Sequence, residues 1–211
     1  MPVARLCLVR HGETEWNAEG RVQGQTDIPL SAVGLAQARA AALALARHDF
    51  SAIYSSDLMR VRQTADPCVR RLALPLQLDA ALRERHYGIF ERMLYNEVRE
   101  RYPEHYARFR DKDPSFDFES GESLATFFER SVAAVRRIAE RHAGEQALVF
   151  THGGVLDMIY RHAHALDVTA GREFGTPNAG LNWIEISAER WQVTQWADVT
   201  HLETALDDPV G

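Results

Sequence analysis

Ala4-Arg5-Leu6-Cys7-Leu8-Val9-Arg10-His11-Gly12 is a short apolar run that breaks into an arginine, a histidine and a glycine. It reads as a buried strand feeding a loop, with a glycine that permits a tight turn and close backbone approach to a ligand. The same junction recurs at Ala147-Leu148-Val149-Phe150-Thr151-His152-Gly153-Gly154. Between the two, Ala52-Ile53-Tyr54-Ser55 predicts a second short strand, and Arg60 falls in the first turn of the helix that follows. Strand-like and helix-like segments alternate through most of the chain, the pattern of an α/β fold. In open α/β sheets, ligands bind beyond the carboxyl ends of the strands. Three strand ends therefore deliver two imidazoles and at least two guanidinium groups toward one rim.

Working outward, Ser31 is an N-cap for an alanine- and leucine-rich helix ending near Arg47. Asp57 is placed to cap the helix of about 57–72. Pro75-Leu76-Gln77-Leu78 suits an edge-like strand, since proline is tolerated at a strand start. Residues 86–120 differ, with many charges and aromatics, two prolines (Pro103 and Pro114) and weak periodicity. They predict an irregular helical insertion over a cleft, its aromatics serving mainly as packing. Ser123 caps a long helix of about 124–142, and a helix after His152 runs to about Ala165. Two final strands fit 181–187 and 191–196. The tail after His201 is acidic and expected to be mobile.

The 211 residues are expected to form a single domain, 1–211, with the insertion at about 86–120. A chain this long can bury a full core without disulfides or metals. The net charge of −6 argues against a nucleic-acid partner by bulk electrostatics. No run reaches the roughly 18 apolar residues of a membrane helix, and residues 1–9 lack the pattern of a signal peptide. No membrane partner and a cytoplasmic location are therefore expected. Cys7 and Cys68 both sit in apolar settings, which favours buried free thiols over a disulfide.

Each feature has a bland reading. A histidine after a strand is more often structural than catalytic, and Arg60 with Arg62 could be a solvated helix face. Two strand–His–Gly junctions in one chain are harder to dismiss. Arginine's planar fork suits phosphate oxygens, and a helix N-terminus favours an anion. His162 and His164 form an HxH pair, yet there is no CxxC pattern and no compelling carboxylate–histidine spacing, so no metal site is expected.

Leu8-Val9-Arg10-His11-Gly12-Glu13-Thr14-Glu15-Trp16-Asn17 is followed in order by 21–31, by 56–65, by Leu82-Arg83-Glu84-Arg85-His86-Tyr87-Gly88, by Ser120-Gly121-Glu122-Ser123-Leu124 and by Thr151-His152-Gly153-Gly154. Across about residues 4–202 this series resembles the histidine phosphatase superfamily, which includes the cofactor-dependent phosphoglycerate mutases. The resemblance implies a three-layer α/β/α sandwich with a mostly parallel central sheet. It makes His11 the nucleophile, transiently phosphorylated, with Arg10, Arg60 and His152 forming the phosphate pocket and Glu84 at the proton-donor position. Asn17 would also contact the phosphate, and Arg62 would assist. Gln23, Gly24, Arg85, His86, Tyr87, Gly153 and Gly154 fall where the family binds the rest of the substrate. The physics fits these roles. Arginines neutralise a phosphomonoester, and Arg10 and Arg60 should keep His11 neutral. A protonated His152 could donate to a phosphate oxygen.

The resemblance thus implies metal-independent hydrolysis of a small-molecule phosphate ester, with no cofactor. One alternative is a phosphoglycerate mutase primed by 2,3-bisphosphoglycerate; Glu84-Arg85-His86-Tyr87-Gly88 looks mutase-like, but Gly154 stands where mutases usually have asparagine. A remote alternative is a non-catalytic phospholigand-binding protein. A homodimer is a family-level expectation.

Overall fold

The computed structural model describes residues 2–203. In chain order its elements are β1 (Ala4–Arg10), α1 (Glu15–Glu19), α2 (Ala32–Leu45), β2 (Ala52–Ser55), α3 (Met59–Leu72), β3 (Leu76–Leu78), α4 (Tyr95–Arg101), α5 (Pro103–Arg110), α6 (Leu124–Arg141), β4 (Gln146–Thr151), α7 (Gly153–Ala163), β5 (Leu181–Ile186), β6 (Trp191–Asp198) and α8 (Thr200–Glu203). The strands form one sheet in the order β3-β2-β4-β1-β5-β6. β3, β2, β4 and β1 are mutually parallel, β5 runs antiparallel to β1, and β6, antiparallel to β5, regains the direction of the other four.

Alternation of side chains across β1 builds two cores, as period-two geometry requires. Leu6 and Leu8 pack with α6 and α7 through Phe127, Val135, Leu156 and Ile159. Cys7 and Val9 face the other way, onto Leu45 of α2 and Val61, Ala65 and Cys68 of α3. The fold is thus a three-layer α/β/α sandwich. Both cysteines are buried and free. Among the described residues, no helix is long and apolar enough to cross a membrane.

Residues 86–120 contain α4, α5 and a separate aromatic cluster of Phe90, Phe116 and Phe118 with Val22 and Val98. Ser31 and Ser123 cap α2 and α6, accepting from Gly34 N–H and Thr126 N–H at 3.1 Å each. Asp57 does not cap α3. The N-cap is Leu58, without a side-chain bond. Asp57 instead binds the Arg83 guanidinium at 2.5 and 2.7 Å, a stronger partner than a lone N–H. Of the acidic tail after His201, residues up to Glu203 belong to α8, and 204–211 lie outside the described residues.

Candidate active site

β1 and β4 are neighbours, with Arg10 paired to Thr151 at their carboxyl ends. His11 and His152 follow immediately, and this register sets their rings 5.2 Å apart, edge to face. Both are buried, at 3% and 0% exposure. His11 Nδ1 lies 2.7 Å from the Gly12 carbonyl. A carbonyl only accepts, so Nδ1 carries the proton and Nε2 keeps its lone pair. Burial, then Arg60 and Arg10, push the His11 pKa well below the ordinary imidazole value. The arginines act in the expected direction, but burial is the larger cause.

His11 lines a cavity of about 150 Å³ with Arg10, Asn17, Gln23, Gly24, Arg60, Glu84, Tyr87 and the rings of Trp16 and Tyr95. Each cation is fixed from behind. Arg10 donates to Thr176 O at 2.6 Å. Arg60, 1% exposed, donates to Gly24 O at 2.7 Å and Thr26 O at 2.9 Å. Burial lowers its pKa to about 10, against the opposing pull of Glu84, Asp27 and Glu91, so it stays charged at neutral pH. The Arg10 and Arg60 Nε atoms are buried without a hydrogen-bond partner among the described residues. Asn17 Oδ1 accepts from Thr14 N–H and Oγ1–H at 3.1 and 3.0 Å, leaving its amide N–H₂ for the cavity.

Glu84 is half-buried, its oxygens accepting Arg85 N–H at 2.8 Å and Gly154 N–H at 2.9 Å. A Cβ on Gly154 would lie 2.0 Å from Glu84 Oε1, so glycine there lets the carboxylate reach the helix N-terminus. Gly153 sits close against the Arg10 guanidinium.

His152 lies behind this cavity and does not line it. Arg60 donates to its Nδ1 at 3.3 Å, so Nε2 holds the proton and donates to Ser56 Oγ at 2.9 Å. Burial first, then Arg60, His11 and Arg10, keep this imidazole neutral. In this arrangement the neutral ring accepts from Arg60 and steadies it.

Tyr87 is shared with a second cavity, of about 300 Å³, between α7 and the insertion. Arg85, Arg110, Lys112, Arg172 and Asp157 line it, over an apolar floor of Phe127 and Met158. Arg85 is 6% exposed and spends two donors on Glu122 O and Phe116 O, both at 2.9 Å. Asp157 is paired with Arg161 at 2.7 Å, which leaves the lining cationic.

Four expected site residues line neither cavity: His152, Gly153, Arg62 and His86. Arg62 is exposed and lines neither cavity. Two positions beyond Arg60 on a helix is a rotation of roughly 200°, so both cannot face one ligand. His86 lies outside both cavities, its ring 3.8 Å from Glu91. Sequence reasoning also missed Ser56, Thr26, Thr176, Asn178 and Glu91. Only the turn-rich Thr176-Pro177-Asn178-Ala179-Gly180 offered a signal; Asn178 donates to His11 O at 3.0 Å. Among the described residues no group of three or more His, Cys, Asp or Glu could hold a metal ion.

Residues 6–199 match the model of the histidine phosphatase superfamily, branch 1. The chain is 38% identical to the metal-independent phosphoserine phosphatase of Arabidopsis thaliana, over 96% of this chain and 84% of that one. It is 32% identical to a probable phosphoglycerate mutase, GpmB, of Photorhabdus laumondii, over 97% and 98%. A phosphoserine phosphatase from Entamoeba histolytica, solved as a mutant with phosphoserine, superposes with a TM-score of 0.84 at 25% identity, over 94% and 99%.

Proposed function

The chain belongs to the histidine phosphatase superfamily, branch 1, and from that premise we propose that it hydrolyses small phosphomonoesters without a metal, through a phosphohistidine on His11. The observation that carries this reading is the tautomer of His11, neutral with a free Nε2, in a small cavity walled by two arginines.

The phosphoryl group sits against Arg10, Arg60 and the Asn17 amide, which offset its charge as it redistributes. His11 Nε2 forms a bond to phosphorus while the bond to the ester oxygen breaks. Glu84 gives that oxygen a proton, and the alcohol leaves past Tyr87. Water then attacks the phosphohistidine, Glu84 takes its proton, and orthophosphate departs. His152, Ser56 and the 24–26 carbonyls hold Arg60 throughout.

The second cavity supports a leaving group that carries its own anion, since three exposed or half-buried cations and Arg85 converge on it. A relative named for phosphoserine and one named for phosphoglycerate agree with that chemistry. The name of the second also favours the mutase reading, in which the phosphohistidine returns its phosphate to a phosphoglycerate after priming by 2,3-bisphosphoglycerate.

The test is product analysis in EDTA, with phosphoserine and with 3-phosphoglycerate, the latter with and without 2,3-bisphosphoglycerate. Release of free phosphate without isomerisation is the expected result. Fast isomerisation that needs the bisphosphate and releases little phosphate would establish the mutase instead.

A further inference from the structure

Among the described residues no carboxylate is bonded to the Arg60 guanidinium, although it is nearly fully buried. Its orientation depends on two carbonyls of the 24–26 loop, which belongs to no helix or strand. That loop is fixed from its other side by Glu91. Glu91 Oε1 accepts Gln25 N–H at 2.9 Å and Tyr87 N–H at 3.1 Å, and Oε2 accepts the Thr26 hydroxyl at 2.8 Å. The Glu91 side chain is 13% exposed, and its one ion-pair neighbour among the described residues is the His86 ring at 3.8 Å.

The Gly24 carbonyl and the Gln25 N–H belong to the same peptide unit. One amide therefore stands between the Arg60 cation and the Glu91 carboxylate, and both charges polarise it in the same sense. Thr26 repeats the arrangement, with its carbonyl on Arg60 and its hydroxyl on Glu91. Gly24 has φ +52°, and a Cβ there would lie 2.1 Å from Glu91 Oε1. Glycine is what allows the carboxylate to close on the loop.

We propose that Glu91 is a positioning residue for phosphoryl transfer, aiming Arg60 at the phosphate through the 24–26 loop and tying that loop to Tyr87 on the leaving-group wall. Glu91 lines neither cavity, so it acts through Arg60 and not on the substrate. The inference rests on the phosphotransfer reading of this site.

A double-mutant cycle of Glu91→Ala and Arg60→Ala tests it, with inorganic phosphate as the binding probe and p-nitrophenyl phosphate as the turnover probe. Glu91→Ala is expected to weaken phosphate binding and lower kcat/KM by about 10- to 100-fold, the range of a lost charged hydrogen bond. In the Arg60→Ala background the same change is expected to move either by less than about threefold. Additive losses would overturn the proposal, because Glu91 would then support the fold in general. Where Glu91→Ala does not fold, Glu91→Gln replaces it in the cycle. That variant keeps an acceptor but removes the charge, and is expected to weaken phosphate binding about three- to tenfold, only when Arg60 is present. No loss, or the same loss without Arg60, overturns the proposal. A wild-type protein that binds phosphate but turns over no ester refutes the phosphatase reading, while the phosphate cycle still decides the role of Glu91.

Discussion

His11 and Glu84 line one small cavity, and substitution separates the tasks proposed for them. His11→Ala removes the atom that bonds to phosphorus. Turnover is expected to fall by about 10⁴-fold or more, and the acid-labile phosphoenzyme seen on rapid quench is expected to vanish. A variant near the wild-type rate would end the nucleophile assignment. Glu84→Gln leaves the nucleophile intact but withholds the proton from the leaving oxygen. Alkyl phosphates are expected to slow by about 10²–10⁴-fold, and p-nitrophenyl phosphate far less, since its phenolate leaves readily. Equal losses on both substrates would assign Glu84 another role. At this scale the sequence was informative where a residue sits next to a strand end, as Arg10, His11 and His152 do. It was misleading at Arg62 and His86, whose near neighbours in the chain line the cavities while they do not. It was silent on Glu91, Ser56 and Thr176, because the contacts that join them to the site are with residues 65 to 166 positions away and no local pattern encodes them.

The start of α3 shows what elements hide. Asp57 stands at the position where local chemistry predicts a cap, yet the first free N–H of the helix, that of Met59, donates to Asp27 Oδ1 at 2.6 Å. Two aspartates compete, and the nearer one is claimed by Arg83, whose hydrogen bonds hold the Asp57 carboxyl below its usual pKa. Asp27→Ala is expected to lower stability by about 0.5–1 kcal/mol, as lost caps do. It should also weaken phosphate binding, because α3 carries Arg60 in its first turn. Asp57→Ala removes a partly exposed ion pair, worth about 0–1 kcal/mol, and leaves the helix start in place. Urea unfolding and phosphate titration of the two variants check the contrast; loss of phosphate affinity in Asp57→Ala but not in Asp27→Ala would reverse it. The starts of α2 and α6 were legible because Ser31 and Ser123 make the cap bonds that their positions predict.

At the scale of the molecule, alternating strands and helices made the layers legible, but strand direction was not. β5 alone runs against the rest, pairing antiparallel with both β1 and β6, a choice that no single strand's composition records. The sheet brings two imidazoles into a dry interior, and that has a consequence for stability. His11 and His152 are both held well below the ordinary imidazole pKa, chiefly by burial and then by Arg60. In the unfolded chain each returns to about 6.5. Above that pH both states hold neutral rings and stability is unaffected. Below it the unfolded chain takes up protons that the folded chain refuses, so stability falls as pH falls, by roughly 1.4 kcal/mol per pH unit for each imidazole until its folded pKa is reached. Urea unfolding in phosphate-free buffer is therefore expected to show a drop of roughly 2–3 kcal/mol between pH 7.5 and 5.5 from these two residues. His11→Asn should remove about 1 kcal/mol of that drop; a variant that keeps all of it would place the pH dependence elsewhere. Saturating phosphate should both raise stability, by binding only the folded state, and flatten the acid limb, because an anion beside the rings makes their protonation less unfavourable.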